Sequence, residues 1–280
     1  MTKICVTGAA GKAGRAVVAD LLDHGHEVVA TDMVPHRTTV PVLQADLTDY
    51  GQTVEVLQGV EAVVHLANIP APGLRTPAVT YTDNTAMNAN VFLAAAQQGL
   101  RRVVWASSET TLGLPFDVPP RYAPVDEAHY PLPTSTYALS KVVGETTAAH
   151  VSEWSGIPFV ALRFSNIFEP HEYEHVPSFW ENPESRRWNL WGYIDVRDVA
   201  LACRLALDAP VTGAESFIIA AADTIMNQPS AELMKAVFPG VELRDVDEYG
   251  TLLSIEKARS VLGFEPAHSW RGELGDAAGA

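Results

Sequence analysis

The sequence predicts an α/β fold in which a doubly wound parallel sheet carries a small C-terminal lobe. Two observations predict it. Short apolar runs alternate with helical patterns over the first 165 of the 280 residues, and this alternation breaks from about Asn166. Buried apolar strands that alternate with helices are typical of parallel sheets with right-handed crossovers. Such sheets bind ligands beyond the carboxyl ends of their strands, where we expect the lobe to lie.

The individual elements are predicted from apolar runs and from helical periodicity. The first strand, at residues 4–6, is followed by a helix over 12–24 whose apolar positions form one stripe and which Gly25 ends. Further strands are predicted at residues 27–31, 40–45, 62–66, 102–106, 159–164, 193–196 and 216–220. Further helices are predicted near residues 52–58, 84–98, 135–155 and 197–208.

The second half of the chain is less regular than the first. Residues 166–190 are rich in Pro, Glu, His and Trp and carry little periodicity. We therefore predict a main domain over residues 1–165, to which 191–220 return. The segments 166–190 and 221–280 are predicted to form a small substrate-binding lobe.

Composition disfavours several classes of function. Lys and Arg number 19 and Asp and Glu 34, a net charge of −15 that repels phosphate backbones, so no nucleic-acid partner is expected. The N-terminus has the pattern of a strand rather than a signal peptide, and no apolar run reaches the ~20 residues of a membrane span. Cys5 and Cys203 stand in apolar runs, which indicates neither a disulfide framework nor a metal cage. We expect a cytoplasmic protein without membrane contact.

One metal-binding motif occurs in the irregular segment. His171 and His175 match His-Glu-x-x-His, whose zinc chemistry needs a stable helix to align the two imidazoles. Pro170 and Pro177 bracket the motif, and no third ligand is evident. We therefore predict no metal site.

A glycine-rich turn joins the first strand to the first helix. Gly8, Gly11 and Gly14 permit a close backbone approach, and the N–H groups that begin the helix can bind a pyrophosphate. This strand–turn–helix context predicts a Rossmann-like dinucleotide site. Asp32 ends the second strand, where a carboxylate binds the adenosine ribose and repels a 2′-phosphate. NAD is therefore favoured over NADP, although Arg37 stands nearby.

A second signal is the run from Tyr137 to Lys141, near the start of a helix that Thr134 or Ser135 can cap. A spacing of four residues puts Tyr137 and Lys141 on one face of the helix, one turn apart. A phenol has a reference pKa of ~10, so a tyrosine base that works near neutral pH needs a lower pKa. The neighbouring ammonium and a positive nicotinamide ring are the expected causes of that lowering.

With these motifs the chain resembles the extended short-chain dehydrogenases/reductases, and among them the NAD-dependent epimerase/dehydratase family. The resemblance spans nearly the whole chain. It is carried by Thr7–Gly14, Asp32, Asp46-Leu47, His65-Leu66-Ala67, Asn84, Ser107-Ser108, Tyr137, Lys141, Leu162–Asn166, Tyr193–Ala200 and Leu262–Pro266.

The resemblance implies a role for each site residue. Tyr137 is expected to be the acid/base, Lys141 to bind the nicotinamide ribose and Ser108 to hydrogen-bond the reacting oxygen. Asn84 is expected to hold the helix that supports the site. The expected cofactor contacts are Gly8, Gly11, Gly14, Asp32, Asp46, Leu47, Ala67, Tyr137 and Lys141. The expected substrate contacts are Ser108, Glu109, Thr110, Asn166 and Arg187.

Departures from the family pattern bear on the reaction. Sugar-nucleotide 4,6-dehydratases place an Asp-Glu pair after the Ser or Thr, whereas Glu109-Thr110 lacks the second acid, so dehydration is disfavoured. Trp191-Gly192 stands where nucleotide-sugar epimerases usually carry an arginine, for which Arg186 or Arg187 can substitute. The chain is short for such an epimerase and is similar to uronate dehydrogenases in its compactness.

We therefore predict an NAD-dependent sugar oxidoreductase or epimerase with Tyr-Lys-Ser chemistry, most similar to (nucleotide-)sugar 4-epimerases. Two alternatives stay open: an NAD-dependent dehydrogenase of a free sugar or a uronate, and a non-catalytic regulator that senses a dinucleotide. Trp180, Trp188 and Trp191 either stack on the sugar or pack between lobe and sheet. The helix at 84–98 is apolar around most of its circumference, and in the family it enters an intersubunit bundle, so we expect a homodimer.

Overall fold

The computed structural model describes residues 1–34 and 39–275. In that part of the chain the strands are β1 (Lys3–Thr7), β2 (Glu27–Asp32), β3 (Val42–Gln44), β4 (Ala62–His65), β5 (Arg102–Ser108), β6 (Tyr122–Ala123), β7 (Phe159–Phe164), β8 (Ile167–Phe168), β9 (Ile194–Asp195), β10 (Ala214–Ile219) and β11 (Glu242–Leu243). The α-helices are α1 (Lys12–Asp23), α2 (Tyr50–Val56), α3 (Pro77–Gln98), α4 (Thr136–Ser155), α5 (Pro177–Trp180), α6 (Val196–Asp208), α7 (Ser230–Val237) and α8 (Trp270–Leu274).

Seven of the described strands form one parallel sheet, in the order β10-β7-β5-β4-β1-β2-β3. The chain moves outward from β1 to β3 and then returns to the other side of β1 with β4. At this reversal the carboxyl ends of β1 and β4 border a crevice, the place where doubly wound sheets bind ligands. The predicted Rossmann-like class of fold is confirmed.

Both faces of the sheet are covered, which explains why its strands are nearly continuous apolar runs. Helices α1 and α6 pack on one face, against an apolar cluster that includes Ile4 and Val6 of β1. Helices α2, α3 and α4 cover the other face, whose cluster includes Cys5 and Phe92. Alternate residues of β1 thus serve opposite faces, as strand geometry requires.

Two predicted elements differ from the observed ones. Helix α3 begins at Pro77 rather than near residue 84, because Pro77 occupies a first-turn position that tolerates proline. Its first seven residues bury only Thr80, so no apolar stripe marks them in the sequence. The strand expected over 193–196 is limited to β9, which pairs with β8 in a separate two-stranded sheet.

A third apolar cluster includes Trp191, Leu233 and Trp270, together with Phe116 of the loop after β5 and Ile218 of β10. Residues 166–190, expected to be irregular, contain β8, α5 and 3₁₀ turns at Pro170–His175 and Pro183–Asn189. The division into domains that the sequence suggested stays a prediction.

Within the described residues no helix is long and apolar enough to cross a bilayer, and the cytoplasmic location also stays a prediction.

Two ion pairs join the turn at Pro170–His175 to the start of α1. Lys12 Nζ lies 2.6 Å from Glu172 Oε2, and Arg15 Nη2 lies 2.9 Å from Glu169 Oε1. Lys12 Nζ also donates a hydrogen bond to the carbonyl oxygen of Ile167. The chain after β7 is therefore held against the helix that follows the glycine turn.

Candidate active site

A cavity of about 1240 Å³ lies at the carboxyl ends of the strands. It is larger than a typical drug-sized ligand pocket, and it extends from the glycine turn to the end of β7. The predicted site residues that line it are Gly8, Gly11, Gly14, Asp32, Leu47, Ala67, Ser108, Glu109, Thr110, Tyr137 and Asn166. The fold thus brings together most of the residues selected from the sequence.

Three predicted contact residues, Asp46, Lys141 and Arg187, do not line this cavity. Asp46 Oδ1 accepts hydrogen bonds from the backbone N–H and the hydroxyl of Thr48, which closes a turn after β3. Arg187 does not reach the cavity, because its guanidinium pairs with Glu184 at 2.9 Å within the same 3₁₀ turn. The expected substrate contact of Arg187 stays a prediction.

The glycine turn has the shape that a dinucleotide pyrophosphate needs. A Cβ atom at Gly14 would lie 2.0 Å from the Gly8 carbonyl oxygen, and one at Gly8 would lie 2.6 Å from the Ala67 nitrogen. Neighbouring backbone atoms therefore leave no room for a side chain at Gly8 or Gly14. A Cβ at Gly11 would meet only the Gly8 oxygen, at 3.2 Å, and would otherwise occupy cavity space. Gly11 also caps α1 without a side-chain bond, so N–H groups of the first turn remain for an anion.

Asp32 is fixed at the end of β2 by backbone donors. Its Oδ2 accepts from the Ala10 N–H at 3.0 Å, and its Oδ1 accepts from the Val34 N–H at 3.0 Å. The carboxylate therefore lines the cavity in one orientation, beside the turn that fits a pyrophosphate. Arg37, which weighed against a strict NAD preference, lies outside the described residues.

Tyr137 and Ser108 lie side by side on the cavity wall, close enough for Ser108 to act in the lowering direction on the pKa of the Tyr137 phenol. Ser108 is the last residue of β5, and Tyr137 is the second residue of α4. Of the two capping residues considered, Ser135 caps α4 by accepting from the Ala138 N–H at 3.1 Å. The end of a sheet strand and a capped helix start thus place the two hydroxyl groups together.

Lys141 lies one turn further along α4 and is almost completely buried, at 1% exposure. Its Nζ donates to the carbonyl oxygen of Ala106 at 2.8 Å and lies 5.5 Å from the centre of the Tyr137 ring. Burial lowers the pKa of Lys141 to about 7, and the Glu145 carboxylate opposes that change. The ammonium group is thus held behind the tyrosine rather than in the cavity lining.

The expected lowering of the Tyr137 pKa does not occur in the protein alone. Burial, together with the negative charge of Glu109, raises this pKa to about 12, although Ser108 acts in the lowering direction. Lys141 is not among the causes, because the same burial disfavours its own charged form. Of the two causes expected from the sequence to lower the Tyr137 pKa, the positive charge of the nicotinamide ring remains.

Glu109 is buried to 3% exposure on the cavity wall. Its Oε2 accepts from the Ser165 hydroxyl at 2.5 Å, and its Oε1 accepts from the Asn189 amide at 3.4 Å. Burial raises the pKa of Glu109 to about 7, although these bonds and the charge of Arg186 favour the ionised form. The sequence analysis gave no role to Ser165 or Asn189. Ser165 follows β7 as Glu109 follows β5, which was a usable signal, whereas no local pattern marks Asn189.

Polar side chains of α3 fasten the loops beneath the site. Asn84 binds both backbone groups of Ile69, with its Oδ1 accepting at 2.7 Å and its Nδ2 donating at 3.1 Å. It therefore fixes the loop after β4 to the helix. Asn88 Oδ1 lies 3.1 Å from His65 Nε2, and His65 Nδ1 lies 2.7 Å from the Thr7 hydroxyl. This buried chain connects α3 to the strand that begins the glycine turn.

Trp180, Trp188 and Trp191 were expected either to stack on a sugar or to pack inside the protein, and the structure places them differently. Trp191 is fully buried and donates from Nε1 to the Pro183 carbonyl oxygen at 2.7 Å. Trp180 packs on Trp270, with ring centres 5.0 Å apart. Only Trp188 of the three lines the cavity. Trp191 and Trp180 therefore belong to lobe packing, and Trp188 is placed to meet a ligand.

The His-Glu-x-x-His motif is not on an α-helix. Residues 170–175 form a 3₁₀ turn, which does not have the helical geometry that the zinc chemistry requires. In the part of the chain that the structure describes, no group of three or more His, Cys, Asp or Glu side chains is placed to hold a metal ion.

Comparison with known proteins decides the family. The sequence profile of the NAD dependent epimerase/dehydratase family matches residues 4–220. The chain belongs to the NAD-dependent epimerase/dehydratase family. The resemblance inferred from the sequence is confirmed, as are the predictions of an enzyme and of NAD as its cofactor.

Individual relatives within and around this family are distant. A UDP-glucose 4-epimerase of Lacticaseibacillus casei is 27% identical over 308 aligned positions, which cover 94% of this chain and 91% of that protein. An NAD-dependent glucose-6-phosphate dehydrogenase of Haloferax volcanii is 28% identical over 195 positions, 63% of this chain and 74% of that one. A short-chain dehydrogenase/reductase superfamily protein from Agrobacterium tumefaciens, solved with bound NAD, superposes with a TM-score of 0.77 at 26% identity. That match covers 99% of this chain and 96% of the other.

Proposed function

We propose that this family member is an NAD-dependent sugar oxidoreductase of the epimerase type that uses Tyr137, Ser108 and Lys141. The observation that carries the proposal is that the cavity opened by the glycine turn is lined by both Tyr137 and Ser108, with Lys141 Nζ 5.5 Å from the centre of the Tyr137 ring. Relatives named UDP-glucose 4-epimerase support a sugar as the substrate. A regulator that only senses a dinucleotide would need no such hydroxyl pair.

The chain's own residues divide the chemistry among them. When bound, NAD⁺ supplies the hydride acceptor, and Gly11 and Asp32 would hold it. Tyr137 takes the proton of the substrate hydroxyl while that carbon loses its hydride, and it returns the proton in the reverse step. Ser108 donates a hydrogen bond to the developing carbonyl oxygen.

A net dehydrogenase of a free sugar or a uronate is the second candidate. It is favoured by the length of the chain, since the alignment with the L. casei epimerase needs 308 positions against 280 residues here. The relative therefore has insertions that this chain lacks. Arg187, proposed from the sequence as a substitute for the missing arginine, is also absent from the cavity lining.

A substrate panel tests the proposal. Free and nucleotide-linked sugars are incubated with the protein and NAD⁺, with absorbance followed for NADH and products analysed for inverted stereochemistry. Inversion without net NADH supports the epimerase, and NADH accumulation supports the dehydrogenase. Activity of either kind should be lost in Tyr137→Phe and kept in Tyr130→Phe, which removes an exposed hydroxyl outside the cavity. Binding of NAD without turnover of any sugar would support the sensing regulator.

We also propose that the protein is a homodimer that pairs through α3 and α4. Large apolar side chains on the outer faces of these helices are exposed in the single chain, namely Val79, Leu93, Leu139 and Trp154. A second copy is the partner whose corresponding helices would cover them.

A further inference from the structure

We infer that the substrate half of this cavity takes an uncharged sugar or polyol, and that Glu109 excludes analogues that carry a carboxylate or phosphate near the reacting carbon. This inference rests on the proposed function, since it concerns the substrate of the same site. It narrows that function, because uronates and sugar phosphates would be poor substrates.

The position of Glu109 is the first step. It follows Ser108 directly in the chain and lines the same wall as Tyr137, and its negative charge acts on the Tyr137 phenol. At 3% exposure the carboxyl group has little water to screen it, so its charge acts strongly on a neighbouring ligand.

The second step is that Glu109 cannot turn away from a ligand. Ser165 and Asn189 hold its two oxygens, at 2.5 Å and 3.4 Å. A carboxylate offers about four lone-pair sites, so these two donors leave room for a further one. A sugar hydroxyl can donate to that site, whereas a carboxylate or a phosphate dianion has no proton to donate.

The third step concerns the positive charges that could neutralise an anionic substrate. Arg186 does not line the cavity, and its Nη2 donates to Asn166 Oδ1 at 2.9 Å. Lys12 lines the cavity beside the glycine turn, but its ammonium group is paired with Glu172. Among the described residues of the lining, the other cation is Arg75, on the exposed loop after β4. Nothing cationic in the described lining therefore adjoins Ser108 and Tyr137.

An anionic group beside Glu109 would add a second negative charge to a poorly solvated wall. Such like-charge contacts are a common way to reject a wrong ligand. An uncharged polyol meets no such penalty. Glu109 thus discriminates against anionic ligands by charge repulsion.

The test uses ligands matched in ring stereochemistry. A hexose, its uronate, its 6-phosphate and its UDP derivative are compared by kcat/KM with NAD⁺, scoring both NADH and inverted product. The panel is assayed above pH 8, where Glu109 is ionised, since burial raises its pKa to about 7. There we expect the kcat/KM of the uncharged hexose to exceed that of the uronate and of the 6-phosphate at least tenfold. Glu109→Gln, which keeps the shape and hydrogen-bonding capacity of the side chain, should narrow that ratio at least tenfold. Glu174→Gln removes an equal charge from an exposed site outside the cavity and should leave the ratio unchanged.

The outcomes separate this inference from the proposed function. Preference of the unmodified protein for the uronate or the 6-phosphate would overturn the inference and leave the sugar oxidoreductase intact. The same holds if Arg75→Gln abolishes turnover of an anionic analogue, because the loop would then be an anion site. If no member of the panel is turned over although NAD binds, the proposed function fails first. If Glu109→Gln does not fold, the panel on the unmodified protein still decides the preference for uncharged ligands.

Discussion

Burial governs the charge states of individual residues in the candidate active site. Tyr137 and Lys141 are both below a tenth exposed, and burial disfavours the charged form of each, in opposite directions of pKa. In the protein alone, Tyr137 is therefore a neutral phenol near neutral pH, and the Lys141 amine titrates in that same range. The chemistry proposed for Tyr137 needs a positive charge that enters with the ligands rather than one built into the fold.

Replacing Tyr137 by Phe tests this residue most directly. The change removes one oxygen and leaves the ring, so NAD binding should stay within a few-fold of the original protein. General acid–base catalysis contributes typically 10²–10⁴-fold, and turnover should fall by about that factor. Ser108→Ala should cost less, since it deletes a single hydrogen bond. Steady-state kinetics measure the turnover of the two variants, and titration measures their affinity for NAD. Unaltered turnover in Tyr137→Phe would overturn the assignment of the active site.

Glu109 gives a pH dependence of stability. Its pKa rises from 4.5 to about 7 on folding, so the folded protein holds this proton more tightly than the unfolded chain. Between these two values the free energy of unfolding should fall as pH rises, by at most about 1.4 kcal/mol per pH unit, and the cost then stays constant above pH 7. Urea unfolding at pH 5 and pH 7.5 should show this loss in the original protein and a smaller one in Glu109→Gln. Equal losses in the two proteins would contradict the prediction.

At the scale of elements, the β1–α1 turn uses its glycines for different purposes. Gly14 is required by the turn itself, because the Gly8 oxygen occupies the place of a side chain. Gly11 instead leaves space toward the cavity. Structural and binding roles are thus separated within one turn.

Alanine substitutions separate these two roles. Gly14→Ala should lower the melting temperature strongly or prevent folding, since the new methyl group would lie 2.0 Å from a backbone oxygen. Gly11→Ala should cost little stability but weaken NAD binding at least tenfold, because the methyl group enters the ligand space. Thermal melts without NAD, paired with NAD titrations, check this. Equal loss of stability in both variants would show that Gly11 has no separate role.

At the scale of the whole molecule, the outer faces of α3 and α4 predict assembly. Light scattering at micromolar concentration should give a mass of about 60 kDa, twice the 30.2 kDa of the chain. Leu93→Glu should shift the mass toward one chain, because it puts a charge on the exposed apolar face of α3. Val118→Glu, at an exposed apolar position outside both helices, is the matched control. A mass near 30 kDa for the unmodified protein would exclude the dimer.

The sequence predicted what local patterns encode. The turn from Gly8 to Gly14, the strand ends and the Tyr137–Lys141 spacing are short-range signals, and the fold places them as expected. The hydrogen-bond partners of Glu109 are residues 165 and 189, which are distant from it in the sequence and meet it only in the folded chain. The direction of a long side chain such as Arg187 is set by its neighbours in space, so the sequence does not reveal its pairing with Glu184. The pKa of Tyr137 depends on burial, which the spacing of two residues does not reveal.

The ion pairs of Lys12 with Glu172 and of Arg15 with Glu169 have a consequence for motion. The four side chains are partly exposed, so their attraction weakens as salt shortens the Debye length from about 10 Å at 0.1 M to about 3 Å at 1 M. Apolar packing of the sheet is not weakened in this way. The amide hydrogens of residues 171–175 should therefore exchange with solvent deuterium several-fold faster in 1 M salt than in 0.1 M, while those of β1 and β4 keep their rates. Under ionic stress the molecule would open first along the boundary between α1 and this turn.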